Sequence, residues 1–162
     1  LVVSRLEPYK RINLVIDTFN KIDEKLIIVG IGSQYKKLKR MAGKNIEFKK
    51  NISDIELASL YENANALIMP QIEEFGMTSL EAQFFGCPVI SYKKSGAAET
   101  IIENKTGLFF DQQTTTSLAA ALVRYKSLSY NLKNSTLENN LNNAKRFDKE
   151  KFIYNFRKLT NL

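Results

Sequence analysis

The fold is predicted most clearly by residues 66–81, Ala-Leu-Ile-Met-Pro-Gln-Ile-Glu-Glu-Phe-Gly-Met-Thr-Ser-Leu-Glu. The short apolar run at residues 66–69 predicts a buried strand that ends at Pro70. Apolar residues recur with helical spacing over residues 80–85, which predicts a helix. The segment between them is therefore predicted to be a turn that leads from a strand into a helix.

This turn has the features of an anion-binding site. Gly76 allows the backbone to turn sharply or to approach a ligand closely. The amides of residues 77–79 begin the helix, so they lack intrahelical acceptors and can hold a phosphate together with the helix dipole. Glu73 and Glu81 can accept hydrogen bonds from hydroxyl groups on either side of that phosphate. The alternative is that Glu74 and Glu81 are ordinary carboxylates at the start and on the surface of a helix.

Composition indicates one soluble globular domain. The chain has 162 residues, of which 44% are hydrophobic and 25% charged, and that is enough for one sizeable core. Because Leu1 is not a methionine and residues 1–3 already have the pattern of a strand interior, we expect a fragment whose upstream part is missing. Cys87 is the only cysteine, which favours a reducing compartment such as the cytoplasm. The absence of His excludes a Ser/His/Asp triad or a histidine zinc site within this chain.

The net charge of +7 is unevenly distributed. Residues 51–100 contain two basic and seven acidic side chains, whereas residues 1–50 contain 12 basic and five acidic ones. Basic surfaces around a local group of carboxylates suit a small anionic ligand with hydroxyl groups, or an anionic membrane surface, at least as well as a nucleic acid duplex. The charge pattern therefore does not by itself predict nucleic-acid binding.

Short apolar runs alternate with amphipathic stretches along the chain. Strands are predicted near residues 1–3, 26–29, 46–48, 66–69, 89–91 and 108–110, and helices lie between them. Ser53 and Glu56 have the spacing of a capping box, and the helix they begin is predicted to bury Ile55. Residues 112–162 are predicted to close the domain with helices at 115–127, 132–145 and 149–160. The whole chain is thus predicted to be one α/β domain, a doubly wound, parallel, six-stranded Rossmann-like sheet of order 3-2-1-4-5-6 with helices on both faces.

In a sheet of this order, ligands bind beyond the carboxyl ends of the strands, between strands 1 and 4. Arg5 and Lys10 follow strand 1 and can contact a diphosphate. The turn with its carboxylates and helix amides follows strand 4. The alternative for Arg5 and Lys10 is a surface ion pair with Glu7 or Asp17.

The glycines argue against a dinucleotide-binding oxidoreductase. The Gly-x-Gly-x-x-Gly pattern belongs after the first strand, whereas Gly30 and Gly32 follow the second and Tyr35 occupies the place of the third glycine. These two glycines either allow a tight turn into a helix or let the chain approach the base or ribose of a ligand.

Several motifs, in this order and spacing, resemble the carboxyl-terminal domain of family 4 retaining glycosyltransferases. They span residues 1 to about 111 and include Arg5-Leu6…Lys10, Val29-Gly30-Ile31-Gly32, Pro70…Glu73-Glu74-Phe75-Gly76…Leu80-Glu81-Ala82, Gly86-Cys87-Pro88-Val89-Ile90, Ser95-Gly96-Ala97-Ala98-Glu99 and Thr106-Gly107-Leu108-Phe109. The resemblance implies the nucleotide-sugar half of a two-domain GT-B enzyme, with the acceptor half upstream.

The resemblance also implies a role for each matching residue. It implies contact with the donor sugar for Glu73, Phe75 and Gly76, and contact with the diphosphate for Arg5, Lys10, Met77 and Thr78. It implies contact with the ribose for Glu81 and a position near the nucleotide for Gly30 and Gly32. No metal and no further cofactor are implied, because the cations and amides would stabilise the leaving diphosphate.

The run from Lys10 to Asn13 and the tail from Phe109 through Phe147 resemble bacterial mannosyltransferases of surface polysaccharide and lipopolysaccharide synthesis. This similarity implies GDP-mannose as the donor, with a UDP-sugar as the alternative, and a glycan or lipid-linked acceptor at the inner face of the cytoplasmic membrane. No nucleic acid is expected as a partner, and the chain alone is expected to be inactive. Two other classes remain open, a non-catalytic nucleotide-binding domain and a basic polyanion-binding module.

Overall fold

The computed structural model describes residues 1–160, with the side chains of residues 129–137 excepted. Six strands alternate with helices along the chain. The strands are β1 (Val2–Val3), β2 (Leu26–Val29), β3 (Ile46–Lys49), β4 (Leu67–Met69), β5 (Val89–Tyr92) and β6 (Gly107–Phe110). The helices are α1 (Ile12–Phe19), α2 (Tyr35–Met41), α3 (Asp54–Asn63), α4 (Met77–Phe84), α5 (Thr115–Ala144) and α6 (Lys149–Thr160). Short 3₁₀ turns occur at Pro8–Lys10, Gly96–Glu99 and Lys145–Phe147.

The strands form two parallel, three-stranded sheets of order β1-β2-β3 and β4-β5-β6. Their facing edges are joined at Leu1, whose nitrogen donates to the Ala66 carbonyl at 2.9 Å and whose carbonyl accepts from the Ile68 amide at 2.8 Å. The order across both sheets is therefore 3-2-1-4-5-6, as predicted. The prediction of one six-stranded sheet is wrong in this detail, because β1 is only two residues long and the hydrogen bonds to residues 66 and 68 come from Leu1, just before it.

Both faces of the sheets are covered, which confirms the doubly wound α/β fold. Because successive side chains of a strand point to opposite faces, Ile68 and Ile90 pack in one apolar cluster with residues of α1 and α5. Leu67 and Val89 pack in the other, with Tyr61 of α3 and Ala82 of α4. Apolar runs buried on both sides are typical of parallel strands.

Two local predictions are corrected by the structure. The side chain of Ser53 accepts a hydrogen bond from the Glu56 amide at 3.2 Å and caps α3 as predicted. However, the Glu56 carboxylate bonds Lys49 Nζ at 3.0 Å, so only half of the capping box forms. Ile55 is 84% exposed rather than buried.

The helices predicted at 115–127 and 132–145 are one helix, α5, of 30 residues. No Gly or Pro interrupts this stretch, and its Asn and Ser residues each lower helix stability by only about 0.5 kcal/mol relative to Ala. Tertiary packing holds both ends of α5, because Leu118 and Tyr125 near its start and Asn143 near its end are buried.

Candidate functional site at the carboxyl ends of β1 and β4

Lys10 and Glu73 meet where β1 and β4 end. Lys10 closes the 3₁₀ turn that follows β1, and Glu73 lies in the loop that follows β4. Lys10 Nζ and Glu73 Oε1 form an ion pair whose side chains are 14% and 25% exposed. Lys10 thus pairs across the site with a residue 63 positions away rather than with Glu7 or Asp17.

The backbone of Glu73 is fixed by the loop that follows β5. Its amide donates to Ser95 Oγ at 3.0 Å, and its carbonyl accepts from the Gly96 amide at 2.7 Å. A Cβ atom at Gly96 would lie 1.8 Å from the Glu74 carbonyl oxygen, so only glycine permits this approach. Ser95 and Gly96 therefore position Glu73, although sequence reasoning gave them no separate role.

The amino-terminal end of α4 begins at Gly76, which has φ +87° and carries no side-chain cap. A Cβ atom at Gly76 would also approach Ala97 Cβ to 2.9 Å. The Ser79 amide donates to the Gly76 carbonyl at 2.9 Å, so the prediction that three amides stay unpaired is wrong for Ser79. The amides of Met77 and Thr78 precede the first helical bond and remain suited to an anion.

Glu81 lies on α4 and is exposed to solvent. Its Oε2 accepts a hydrogen bond from the Tyr61 hydroxyl at 3.2 Å. Tyr61 is only 1% exposed, and its burial, followed by the charge of Glu81, raises the pKa of its phenol. Tyr61 therefore remains a hydrogen-bond donor at neutral pH. In the sequence, an aromatic ring at this spacing along α3 predicts only core packing, so the hydrogen bond to Glu81 could not be predicted.

Arg5 is exposed and lies two residues after Val3, the last residue of β1. Gly30 and Gly32 lie against the loop that carries it. A Cβ atom at Gly30 would be 1.9 Å from the Ser4 carbonyl oxygen, and one at Gly32 would be 2.5 Å from that of Leu6. Close packing of two loops thus accounts for both glycines.

Glu7 ties the same two loops together. Its carboxylate accepts hydrogen bonds from the Ser33 amide at 3.0 Å and from the Ser33 hydroxyl at 2.6 Å. These bonds, and more weakly the charge of Arg5, lower the pKa of the Glu7 carboxyl. The loop between β1 and α1 is therefore anchored on both sides of Arg5.

The end of α5 reaches the site through polar and aromatic contacts. Asn143 Nδ2 donates to Gln83 Oε1 at 2.7 Å and to the Thr100 carbonyl at 2.6 Å. The Phe75 ring packs edge-to-face on Phe147 just beyond α5, with ring centres 5.6 Å apart. These contacts hold α4 and the loop before it against the closing helices.

A separate cavity of about 450 Å³ lies at the opposite end of the strands. Leu1, Asn65 and Ala66 line it, and these residues stand at or before the starts of β1 and β4. None of the candidate site residues lines this cavity.

Within residues 1–160, no three His, Cys, Asp or Glu side chains are grouped so that they could hold a metal ion. The helices described here include none with the length and apolar character needed to cross a membrane.

Comparison with known proteins gives a family match over most of the chain. Residues 1–147 match the model of the glycosyl transferases group 1 family. An uncharacterized glycosyltransferase of Methanocaldococcus jannaschii is 28% identical over 98% of this chain and 46% of its own length. A GDP-mannose-dependent alpha-(1-6)-phosphatidylinositol monomannoside mannosyltransferase of Mycolicibacterium smegmatis is 29% identical over 74% of this chain and 36% of its own.

A solved structure shows the same fold. The structure of Anabaena HepE in complex with UDP-glucose superimposes with a TM-score of 0.79 at 22% identity, over 99% of this chain and 49% of that one. The chain thus spans half or less of the length of these proteins. With a Rossmann-like fold of the GT-B type and a family match over residues 1–147, the chain belongs to the glycosyl transferases group 1 family.

Proposed function

We propose that this chain is the donor-binding domain of a two-domain, family 4 retaining glycosyltransferase. The complete two-domain enzyme moves a hexosyl group, mannose from GDP-mannose, onto a glycan or lipid-linked glycan of the kind found in bacterial surface polysaccharides. The acceptor contacts lie in a second, upstream domain, and the enzyme works in the cytoplasm at the inner face of the membrane. The supporting observation is the contact of Lys10 with Glu73 beside the uncapped start of α4.

The chemistry of that contact suits a nucleoside diphosphate sugar. An ammonium group has three N–H donors, so Lys10 can bond Glu73 and still offer donors to phosphate oxygens. The amides of Met77 and Thr78 supply further donors without charge, and Arg5 supplies a guanidinium. Negative charge that develops on the departing diphosphate is thereby stabilised without a metal ion.

The other residues of the site contact different parts of the ligand. Glu73, Phe75 and Gly76 contact the sugar, Glu81 contacts the ribose, and Gly30 and Gly32 lie near the nucleotide. A nucleotide sugar as the ligand is supported by two relatives, because HepE was solved with UDP-glucose and the mycolicibacterial relative is named as GDP-mannose-dependent. Mannose is the proposed sugar because the relative named as GDP-mannose-dependent matches 74% of this chain.

Calorimetric titration of the chain with GDP, GDP-mannose, UDP-glucose and a short DNA duplex tests the proposal. We expect the guanine nucleotides to bind, UDP-glucose to bind more weakly, and the duplex not to compete. Stronger binding to DNA with a steep dependence on salt would instead identify a polyanion-binding module.

Lys10→Ala sharpens this test, with Lys49→Ala as the matched control because Lys49 forms an ion pair with Glu56 on β3 and α3. Lys10→Ala should weaken GDP by about 1.5–3 kcal/mol, the range for hydrogen bonds to charged groups, and leave guanosine almost unaffected. Equal losses for GDP and guanosine would mean that Lys10 does not contact the phosphates.

A further inference from the structure

Gln71 is a buried polar residue in the loop between β4 and α4. Only 3% of its surface is exposed to solvent. The backbone next to it is fixed, because Gln113 Nε2 donates to the Pro70 carbonyl at 2.7 Å. Gln71 is therefore held in one place beside the loop that carries Glu73.

The side-chain amide of Gln71 donates from Nε2 to Glu73 Oε1 at 2.9 Å. This is the same carboxylate oxygen that pairs with Lys10. The reverse orientation of the amide would place two oxygen atoms against each other, so the contact with Glu73 fixes which end is the donor.

The other end of the amide, Gln71 Oε1, is buried and has no hydrogen-bond partner among residues 1–160. Buried polar side-chain atoms are nearly always hydrogen-bonded. An apolar side chain of similar size would fill this space without leaving an unpaired acceptor. A glutamine at this position is thus poorly explained by stability alone.

The contacts of Glu73 suggest what the glutamine provides. Oε1 receives two donors, from Lys10 and Gln71, while Oε2 has no hydrogen bond recorded within the described residues and the side chain is 25% exposed. Donors on one oxygen fix the orientation of the carboxylate. The second oxygen is then presented in a constant direction.

We propose that Gln71 is a positioning residue, which holds Glu73 so that its second oxygen meets a hydroxyl group of the donor sugar. The inference rests on the proposed function, since it requires Glu73 to contact that sugar. Gln71 acts through Glu73 and makes no contact of its own with the reacting atoms.

The test is Gln71→Met, measured by calorimetry with GDP-mannose and with GDP. The ratio of the two affinities reports the contribution of the sugar. We expect Gln71→Met to weaken GDP-mannose about tenfold, the change that corresponds to about 1.4 kcal/mol, and to change GDP less than about twofold. The melting temperature should stay the same or rise, because the unpaired acceptor is removed.

Gln83→Met is the matched control. Gln83 is fully buried and donates to Ser79 Oγ and to the Thr100 carbonyl, but it does not contact Glu73. This variant should lower the melting temperature and leave the ratio of affinities unchanged. If Gln71→Met instead behaved like this control, with a lower melting temperature and an unchanged ratio of affinities, Gln71 would be merely structural and the inference would be overturned.

Gln71→Glu gives a second readout. Two carboxyl groups at hydrogen-bond distance share a proton when the pH is low enough, and the protonated group can then donate as the amide does. Lys10 is the charged group paired with Glu73, while Ser95 and Gly96 contact it without charge. When the pH is lowered from about 8 to about 5, the GDP-mannose affinity of this variant, expressed relative to that of wild type, should rise about tenfold.

The outcomes separate the two proposals. If wild type binds neither GDP nor GDP-mannose, the proposed function fails and the inference fails with it. If wild type binds GDP-mannose and Gln71→Met binds it equally well, only the inference is overturned. An affinity of Gln71→Glu that does not change with pH, relative to wild type, would also contradict it.

Discussion

In the proposed donor site, the charged pair of Glu73 and Lys10 prepares both groups for a ligand rather than merely stabilising a surface. An exposed ion pair contributes about 0–1 kcal/mol to stability, but these two side chains are 25% and 14% exposed and lie at the carboxyl ends of neighbouring strands. Their contact orders both side chains. A ligand that carries both phosphate and hydroxyl groups can then be bound without first ordering the two side chains.

Glu81 gives a prediction at the same scale. Glu81→Ala should weaken GDP by about 1.5–3 kcal/mol, because a charged acceptor for the ribose hydroxyls is lost. The measurement is titration with GDP and with its 2′,3′-dideoxy analogue, which lacks those hydroxyls. Glu62→Ala is the control, since Glu62 is an exposed residue of α3.

The dideoxy analogue should bind Glu81→Ala and wild type with similar affinity. If Glu81→Ala weakens both ligands equally, the carboxylate acts on the whole nucleotide through charge and not on the ribose.

At the scale of elements, α4 is held by a small buried network that involves Asn143 at the far end of α5. Asn143 is 2% exposed and donates to Gln83 and to the backbone of Thr100. Asn143→Ala should lower the free energy of unfolding by about 1–3 kcal/mol, because Gln83 Oε1 would be left buried without a donor. Urea denaturation measures this change.

Asn142→Ala is a suitable comparison, because Asn142 is the exposed neighbour on the same helix. It should change stability by less than about 0.5 kcal/mol. Equal effects of the two substitutions would indicate that helix propensity, and not the buried network, determines the result.

The loop contact of Glu7 predicts a dependence on pH. Its folded-state pKa is lowered by the bonds from Ser33, so its contribution to stability is present above the unfolded pKa and is lost as the pH falls through the folded value. Glu7→Gln imitates the protonated side chain. It should therefore be less stable than wild type near neutral pH and should match wild type in acid.

Urea denaturation of both proteins at several pH values checks this expectation. A stability difference that stays constant from neutral pH into acid would show that the charge of Glu7 is not involved. Glu62→Gln, at an exposed position of α3, controls for the general effect of removing one negative charge.

Local pattern was sufficient to predict most elements and their order. Residues 67–69 are an apolar run next to Pro70, and residues 89–92 begin with the apolar pair Val89-Ile90 after Pro88; such patterns are recognisable without tertiary information. Their burial on both faces follows from the parallel arrangement. The position of the site at the ends of β1 and β4 follows in turn from the strand order.

Features that depend on tertiary contacts could not be predicted in this way. The polar stretch within α5 has little local preference for a helix, and the burial of residues at both ends of α5 makes it one element. The roles of Gln71 and Tyr61 as hydrogen-bond donors to Glu73 and Glu81 exist only in the folded chain. Sequence spacing indicated Glu73 and Glu81 as candidate site residues, but it could not predict which side chains hold them.

At the scale of the whole molecule, the groups placed at the site all suit the donor. Arg5, Lys10 and the amides of α4 suit phosphate, and the two carboxylates suit hydroxyl groups. The chain contains no His, so the commonest type of general base is missing from it. The chain also spans only 46% of the length of its methanocaldococcal relative, which leaves room in such proteins for a second domain.

The chain by itself is therefore expected to bind the donor without transferring sugar. Transfer requires an acceptor hydroxyl held against the anomeric carbon, and such positioning can lower the barrier by about 7–11 kcal/mol. A ligand buried on one side only should bind modestly, with a Kd for GDP-mannose of about 10 µM to 1 mM, or about −4 to −7 kcal/mol. Calorimetry measures this affinity, and mass spectrometry of glycan and lipid-linked acceptors measures transfer. Transfer by the purified 162-residue chain at rates typical of intact enzymes, about 1 per second or more, would show that it carries the complete catalytic machinery.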